Sequence, residues 1–464
     1  MSFVQPEFLF LFCAVFILYH SLATRRTAQN AVLLAASLFF YGWWNWSFLG
    51  LIIAESAIAY VCGLLIQARR APKVALTFGV ASLLATLCFF KYSSFILTSF
   101  YDFMDVFGDS GKRVIINVIL PIGISFHTFQ AIAYLVDIYR GKIHACHNTL
   151  SFAVFSVFFP QLIAGPIERA SDLLRQFETP REFTVEMAAE AVWLIALGYF
   201  FKVGMADVLA PMADIGFNIS NAQPSGWWVI LGTLAFSLQI YGDFMGYSLI
   251  AKGIALLLGF RLQWNFIFPY WSRSISEFWR CWHVTLGRWL RDYLYIPLGG
   301  SRHGATRTAL SLMVTMLLGG LWHGANWTFV LWGAWHGAAL TIHHFLFRNR
   351  WRPGPVTSFL GWLSTMLVVY AGWFLFRVPD FTSAKILLAK LHHMVWFPAH
   401  TLTLMACLFY IAVIFALEAL QRRLTDQSGA QLPLVARGTL VGILTIFVAA
   451  TISHTKTTFI YFQF

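Results

Sequence analysis

ALSLMVTMLLGGLWHGANWTFVLWGAWHG, residues 309–337, sets two apolar runs on either side of a glycine-bearing joint that carries a histidine. No Asp, Glu, Lys or Arg interrupts it, so the stretch reads as the two limbs of a hairpin in a membrane. An ionisable group at that depth is expensive, so His323 by default faces a cavity and marks a functional path. Gly319, Gly320 and Gly324 let the backbone bend and a substrate come close. Imidazole, with an ordinary pKa of about 6.5, is the usual general base for a hydroxyl. A histidine satisfied within helix packing is the competing reading. His336 falls on the far limb, where it reads as a packing or supporting residue.

The rest of the chain agrees with a membrane setting. Of 464 residues, 59% are hydrophobic and 11% charged, against roughly 25% charged in a soluble domain. That composition excludes a soluble fold and also disorder, because so apolar a chain buries more surface than ordering costs. The net charge of +12 comes from short basic clusters between apolar runs. This is the positive-inside pattern, and nucleic acid is not implied. Six scattered cysteines, Cys13, Cys62, Cys88, Cys146, Cys281 and Cys407, show no metal or disulfide spacing and read as packed or lipid-facing thiols.

The basic clusters order the spans. Residues 8–19 form a first span followed by Arg25 and Arg26, which puts the N-terminus outside. Residues 31–67 read as two short tilted helices with a turn at 43–47. Asp102, Asp105 and Asp109 fall outside, and Arg140 with Lys142 inside. Residues 187–209 lead out to a polar loop at 210–225, and 227–258 return. Arg348, Arg350 and Arg352 are cytoplasmic; 359–376 lead out, 402–420 lead back to Arg422 and Arg423, and 438–452 end outside. The expectation is an all-α polytopic protein of about 12 crossings, a single integral membrane domain over residues 1–464 without linker or repeat.

Two regions break the pattern. Residues 151–169 are apolar but carry Pro160, Gly165 and Pro166, and such interrupted backbone survives at membrane depth only inside protein or beside water. Residues 265–302 pack Arg273, Glu277, Arg280, Arg288, Arg291 and Asp292 among aromatics. A helix there pairs Arg273 with Glu277 and Arg288 with Asp292, four apart, and turns Phe278, Trp282 and Trp289 to another face. It reads as an interfacial helix with snorkelling arginines or as part of a site. His283 within it is a second candidate, although a neighbour's hydrogen bond would also explain it. His127, after a Pro and a Gly within a span, lines a tunnel or packs. The remaining histidines fall near interfaces and loops. Phosphate-loop, zinc-helix, nucleophile-elbow and histidine-x-four-aspartate patterns are absent from the sequence.

Six segments taken together carry a resemblance. They are PIGISFHTFQAIAYLVDIYRG (121–141), FPQLIAGPIER (159–169), QIYGDFMGYSLIAKGIALLLGF (239–260), EFWRCWHVTLGRWLRDYLYIPLGGSR (277–302), GGLWHGANWTFVLWGAWHG (319–337) and FIYFQF (459–464). In this order they resemble the bacterial membrane-bound O-acyltransferase (MBOAT) family, most of all its alginate O-acetyltransferase type. That type is similar to proteins acetylating cellulose or peptidoglycan and to the D-alanyl transferase of teichoic acids. The motif-rich core is 121–347, and 459–464 form a C-terminal extracytoplasmic motif.

The resemblance implies a ring of helices, with re-entrant and amphipathic segments, around a thinned centre and a central tunnel. It implies His323 as the catalytic histidine of a W-H-G motif and His283 as the second family histidine, in F-W-R-x-W-H. Cys281 stands where a second Arg is expected, which touches a charge contact and not the chemistry. The implied reaction takes acetyl from cytoplasmic acetyl-CoA, a co-substrate, with neither bound cofactor nor metal. The acetyl group crosses the bacterial inner membrane toward a periplasmic or tethered SGNH-type partner and an exported polysaccharide, alginate-like or cellulose.

Arg273, Arg280, Arg288 and Arg291 then hold CoA phosphates or pair with Glu277 and Asp292, themselves read as supports of the cytoplasmic mouth. In the terminal hexapeptide Tyr461 supplies the one hydroxyl, and a phenol ester is a reactive acyl donor. The tail is therefore an acyl carrier or an interfacial anchor. Transfer of D-alanine or another acyl group is the alternative within the family. A transporter or flippase is the alternative outside it, although no inverted repeat is visible.

Overall fold

The computed structural model describes residues 1–108, 113, 118–162, 165–220, 224–347, 354–424, 427, 429 and 431–452. All regular structure among them is helical. Asp109, Arg348, Arg350, Arg352, His454 and the tail 459–464 with Tyr461 lie outside the described residues. Eight described helical stretches are long and apolar enough to cross a bilayer. The expected total of about 12 crossings also includes shorter or less apolar helices. The chain divides into two compact units, Met1–Met187 with Ile254–Gln263, and Ala188–Gly253 with Trp264 onward.

In the first unit α1 (Pro6–Ser21) and α2 (Arg26–Gly42) are followed by α3 (Leu49–Gln67), α4 (Pro72–Leu87) and α5 (Ser93–Val106). Proline opens α1 and α4, where its missing N–H would have had no partner anyway. Asn45 makes the turn between α2 and α3 at the expected place, its side chain accepting from the Ser47 N–H at 2.9 Å. Arg113 closes on Asp102 and Asp105 near the end of α5. Then come α6 (Ile124–Tyr139), α7 (Thr149–Val157), α8 (Phe159–Leu162) and α9 (Arg175–Glu178).

The expected interruption falls at Phe158, between α7 and α8. Side chains take over the backbone groups around it. Ser37 Oγ accepts from the Phe159 N–H at 3.1 Å, and Gln161 Nε2 donates to the Phe155 carbonyl at 2.8 Å. This is what makes a broken helix tolerable away from water. Phe158, Phe177 and Phe260 pack their rings around the same place.

The second unit takes most of α10 (Val185–Tyr199) and then α11 (Asp207–Phe217). A wide, π-helical turn at Phe200–Ala206 joins them. Here an expectation is corrected: residues 210–217 are helix, not polar loop, and Pro211 sits inside α11. A membrane helix absorbs such a proline when neighbours satisfy the freed carbonyl. Next come the 32-residue α12 (Gly226–Leu257), α13 (Ile275–Cys281), α14 (Val284–Leu290) and the paired α15 (Gly304–His323) and α16 (Trp327–Leu346). The unit continues through α17 (Pro355–Arg377), α18 (Phe381–Ala389), α19 (Pro398–Arg423) and α20 (Leu434–Thr451). Gly320 and Gly333 let α15 and α16 touch backbone to backbone: a Cβ on the first would strike the Phe329 carbonyl, and one on the second that of Met316.

Residues 265–302 are not one interfacial helix. α13 and α14 meet at His283, whose left-handed backbone (φ 43°) ends one helix and starts the next. Arg273 precedes α13, so its link to Glu277 is not an ion pair along a helix face. Instead the Arg273 backbone N–H donates to Glu277 Oε2 at 2.7 Å. Phe278 and Trp282 are buried, while Trp289 is half-buried.

Candidate active site

The site grows from the joint between α15 and α16. His323 is the last residue of α15, and only Gly324, Ala325 and Asn326 separate it from α16. Asn326 fastens the joint twice. Its Oδ1 accepts from the Thr328 N–H at 3.1 Å, capping α16, and its Nδ2 donates to the Pro379 carbonyl at 2.7 Å. His323 is 5% exposed, and three rings stand edge-on around the imidazole: Trp322, Trp332 and Phe376, with centroids at 5.0, 5.2 and 5.3 Å. Edge-to-face rings fix its orientation by shape and exclude water from its surroundings.

His283 also borders Trp322, ring centroids 5.8 Å apart, and stands edge-on against Phe244 at 4.6 Å. The structure therefore brings the two expected histidines to one indole. Asn265 holds the second. Its Oδ1 takes the Thr285 hydroxyl at 2.6 Å and lies 3.3 Å from His283 Nδ1, while its carbonyl accepts the Val284 N–H at 2.8 Å. An amide oxygen accepts only, so Nδ1 is the donor and Nε2 carries the lone pair. His336 joins from α16, edge-on to Trp332 and to Trp279 at 4.9 Å each, with Gly372 against its Nε2.

Arg273, Arg280, Arg288 and Arg291 are all exposed along the α13–α14 segment that leads into and out of His283. Arg291 Nε is 2.7 Å from Asp292 Oδ1. Ser274 and Glu277 cap α13 reciprocally, since Ser274 Oγ accepts the Glu277 N–H at 3.2 Å while Glu277 holds the Arg273 N–H. Glu277 thus stabilises the helix that precedes His283. Tyr461 belongs to the tail outside the described residues.

Several buried charges were not anticipated. In the second unit Lys202 Nζ sits 2.7 Å from Asp207 Oδ1 and 2.6 Å from Asp243 Oδ1, and Tyr241 donates to Glu418. In the first, His127 Nδ1 lies 2.8 Å from Glu55 Oε2. Their common signal is a lone ionisable residue inside an apolar run, as in LGLIIAESAIAY. Cys146 Sγ donates to Glu178 Oε1 at 3.2 Å, and burial together with that carboxylate pushes the thiol up to about 12, which keeps it from acting as a thiolate. Among the described residues no cluster of His, Cys, Asp and Glu is placed to hold a metal ion.

Residues 140–378, which include both histidines and all four arginines, match the model of the membrane-bound O-acyltransferase family. A probable alginate O-acetylase of Azotobacter vinelandii is 43% identical over 384 residues, 82% of this chain and 76% of the relative. A peptidoglycan O-acetyltransferase of Helicobacter pylori is 33% identical over 418 residues, 82% and 78%. A teichoic acid D-alanyltransferase of Bacillus subtilis is 25% identical over 288 residues, 57% and 70%. With its helices built to cross a bilayer more than once, and with the family's sequence running through the segment that carries the two histidines, this chain belongs to the membrane-bound O-acyltransferase family and is a multi-pass membrane O-acyltransferase.

Proposed function

We propose that the protein transfers acetyl from cytoplasmic acetyl-CoA, across a bacterial inner membrane, toward an exported polysaccharide. The observation that carries this reading is that His323 and His283 both meet Trp322 in a water-poor aromatic setting. In the reaction His323 removes the proton of the accepting hydroxyl as oxygen attacks the thioester carbonyl, the C–S bond breaks, and the departing CoA sulfur takes that proton from the imidazolium. His283, aligned by Asn265, supports the site from beside the same indole. Arg273, Arg280, Arg288 and Arg291 supply charge for the CoA phosphates, as exposed guanidinium groups do. Acetyl is favoured over D-alanine because relatives with 43% identity are named for acetylation, while the D-alanyltransferase stands at 25%.

On this reading both termini face outward, Tyr461 receives acetyl with help from His323, and a periplasmic or tethered SGNH-type protein passes it to an alginate-like polymer or cellulose. The decisive experiment uses the purified full-length protein in nanodiscs with radiolabelled acetyl-CoA. His323→Ala lowers turnover by about 10²-fold to 10⁴-fold while the protein still folds. Wild-type turnover in that variant overturns the assignment. Tyr461→Phe removes only a hydroxyl; if polymer acetylation then continues unchanged, the tail is an anchor and not a carrier.

A further inference from the structure

The first unit contains an acid, an imidazole and a hydroxyl in series. Glu55 on α3, His127 on α6 and Ser156 on α7 are 2%, 2% and 5% exposed. Glu55 Oε2 lies 2.8 Å from His127 Nδ1, and His127 Nε2 lies 2.9 Å from Ser156 Oγ. The other carboxylate oxygen, Oε1, accepts from Thr128 Oγ1 at 3.5 Å. With Nδ1–H donated to Glu55, Nε2 is the acceptor that a serine proton needs.

A second hydroxyl, Ser56 Oγ, also approaches Nε2 at 3.1 Å, and the proton count decides between the two. Ser56 donates its one proton to the Ile52 carbonyl at 2.7 Å, the usual back-bond of a helical serine. The proton facing Nε2 is therefore that of Ser156, with Ser56 Oγ, 2.7 Å away, as its other neighbour. Ser156 is next to last in α7, just before the break at Phe158. Ile52 and Val157, beside the triad in sequence, belong to a buried apolar cluster with Tyr41 and Leu162. Ser56 itself is half-buried, and Ala54 next to Glu55 and Ala57 next to Ser56 are exposed, so the Ser56 hydroxyl lies close below the surface of α3.

We propose that Ser156 is a nucleophile, activated by His127 and oriented through Glu55, that accepts an acyl group from an uncharged acyl ester or thioester. Oγ bonds to the carbonyl carbon, its proton passes to His127 Nε2, the bond from carbonyl carbon to the leaving sulfur or oxygen breaks, and the leaving group takes the proton from Nε2. No oxidant or reductant enters. Glu55 and His127 precede residues 140–378, the part matched by the family model, and Ser156 lies within it; none of the three is among the residues assigned to the chemistry at His323.

The test is independent of acetyl-CoA as donor. Full-length protein in native membranes is treated with an alkyl fluorophosphonate and the modified peptide is mapped. The Oγ–P bond forms, the P–F bond breaks, and fluoride leaves with the serine proton. The expected result is a label on Ser156 that Ser156→Ala abolishes and Ser56→Ala keeps. Glu55→Gln and His127→Gln should slow labelling by about 10²-fold. Folded wild-type protein without label at Ser156, a label on Ser56 instead, or an unchanged rate in folded His127→Gln overturns the proposal. The cluster is then a staple between helices. Should the His127 or Glu55 variants fail to fold, wild-type and Ser156→Ala decide the matter alone.

Discussion

His323 and His127 are both almost completely buried, at 5% and 2% exposure, yet their surroundings have little in common. Three aromatic rings are among the neighbours of the first; a carboxylate and two hydroxyls bond the second. Rings hold an imidazole through many weak contacts that depend on shape. Polar partners hold it through a few directional bonds, and each one broken leaves a buried group costing about 1–3 kcal/mol. The contrast separates a histidine read chiefly in turnover from one read also in stability.

The sharpest way to break that contrast is to replace both. His323→Gln should lose about 10²-fold to 10⁴-fold in turnover with little change in melting temperature. His127→Leu, which strands the Glu55 carboxylate, should cost about 3–5 kcal/mol in stability. Equal destabilisation by both variants would show that the surroundings do not matter in this way. Lys202→Met carries the polar rule into the second unit. With Asp207 and Asp243 left without their lysine, a loss of about 3–5 kcal/mol is expected on thermal unfolding in detergent, and an unchanged midpoint would confine the rule to His127.

His283 sits between the extremes, with one amide and the rings of Phe244 and Trp322 against it. Asn265→Ala should lower turnover by about 10-fold to 10²-fold through misorientation, and Asn265→Asp, which keeps an acceptor oxygen, should restore most of it. No rescue would mean that the amide serves packing alone. The smallest effect is expected at Glu277→Ala, about 1 kcal/mol from the lost reciprocal cap, with acetyl-CoA affinity unaltered. Weaker acetyl-CoA binding at normal stability would move Glu277 into the donor site.

What was legible in the sequence follows from how local each signal is. The α15–α16 hairpin, the turn at 43–47 and the break near Pro160 are written in contiguous apolar runs, glycines and a proline, and they lie where expected. The bend at His283 has no such mark. RCWHVT contains neither Gly nor Pro, and the left-handed residue is held by Asn265, 18 positions earlier. The triad was illegible for the same reason, since 72 residues separate Glu55 from His127. Periodicity also failed at Pro211, where the wide turn and the following helix run on past the point at which a proline usually ends a span.

The short joint behind His323 has a mechanical consequence. Asn326 ties the tip of the hairpin to Pro379, just past the end of α17, and Phe376 on that helix supplies one wall around the imidazole. A flap that swung open at this tip would have to shed the Asn326 hydrogen bond and slide the wall away in the same movement. The tip, the histidine and the end of α17 are thus one clamped block. If acyl transfer takes place at His323, a block of this kind would select between acyl groups by fixed clearance, as a gauge does, and not by folding shut around whichever one arrives.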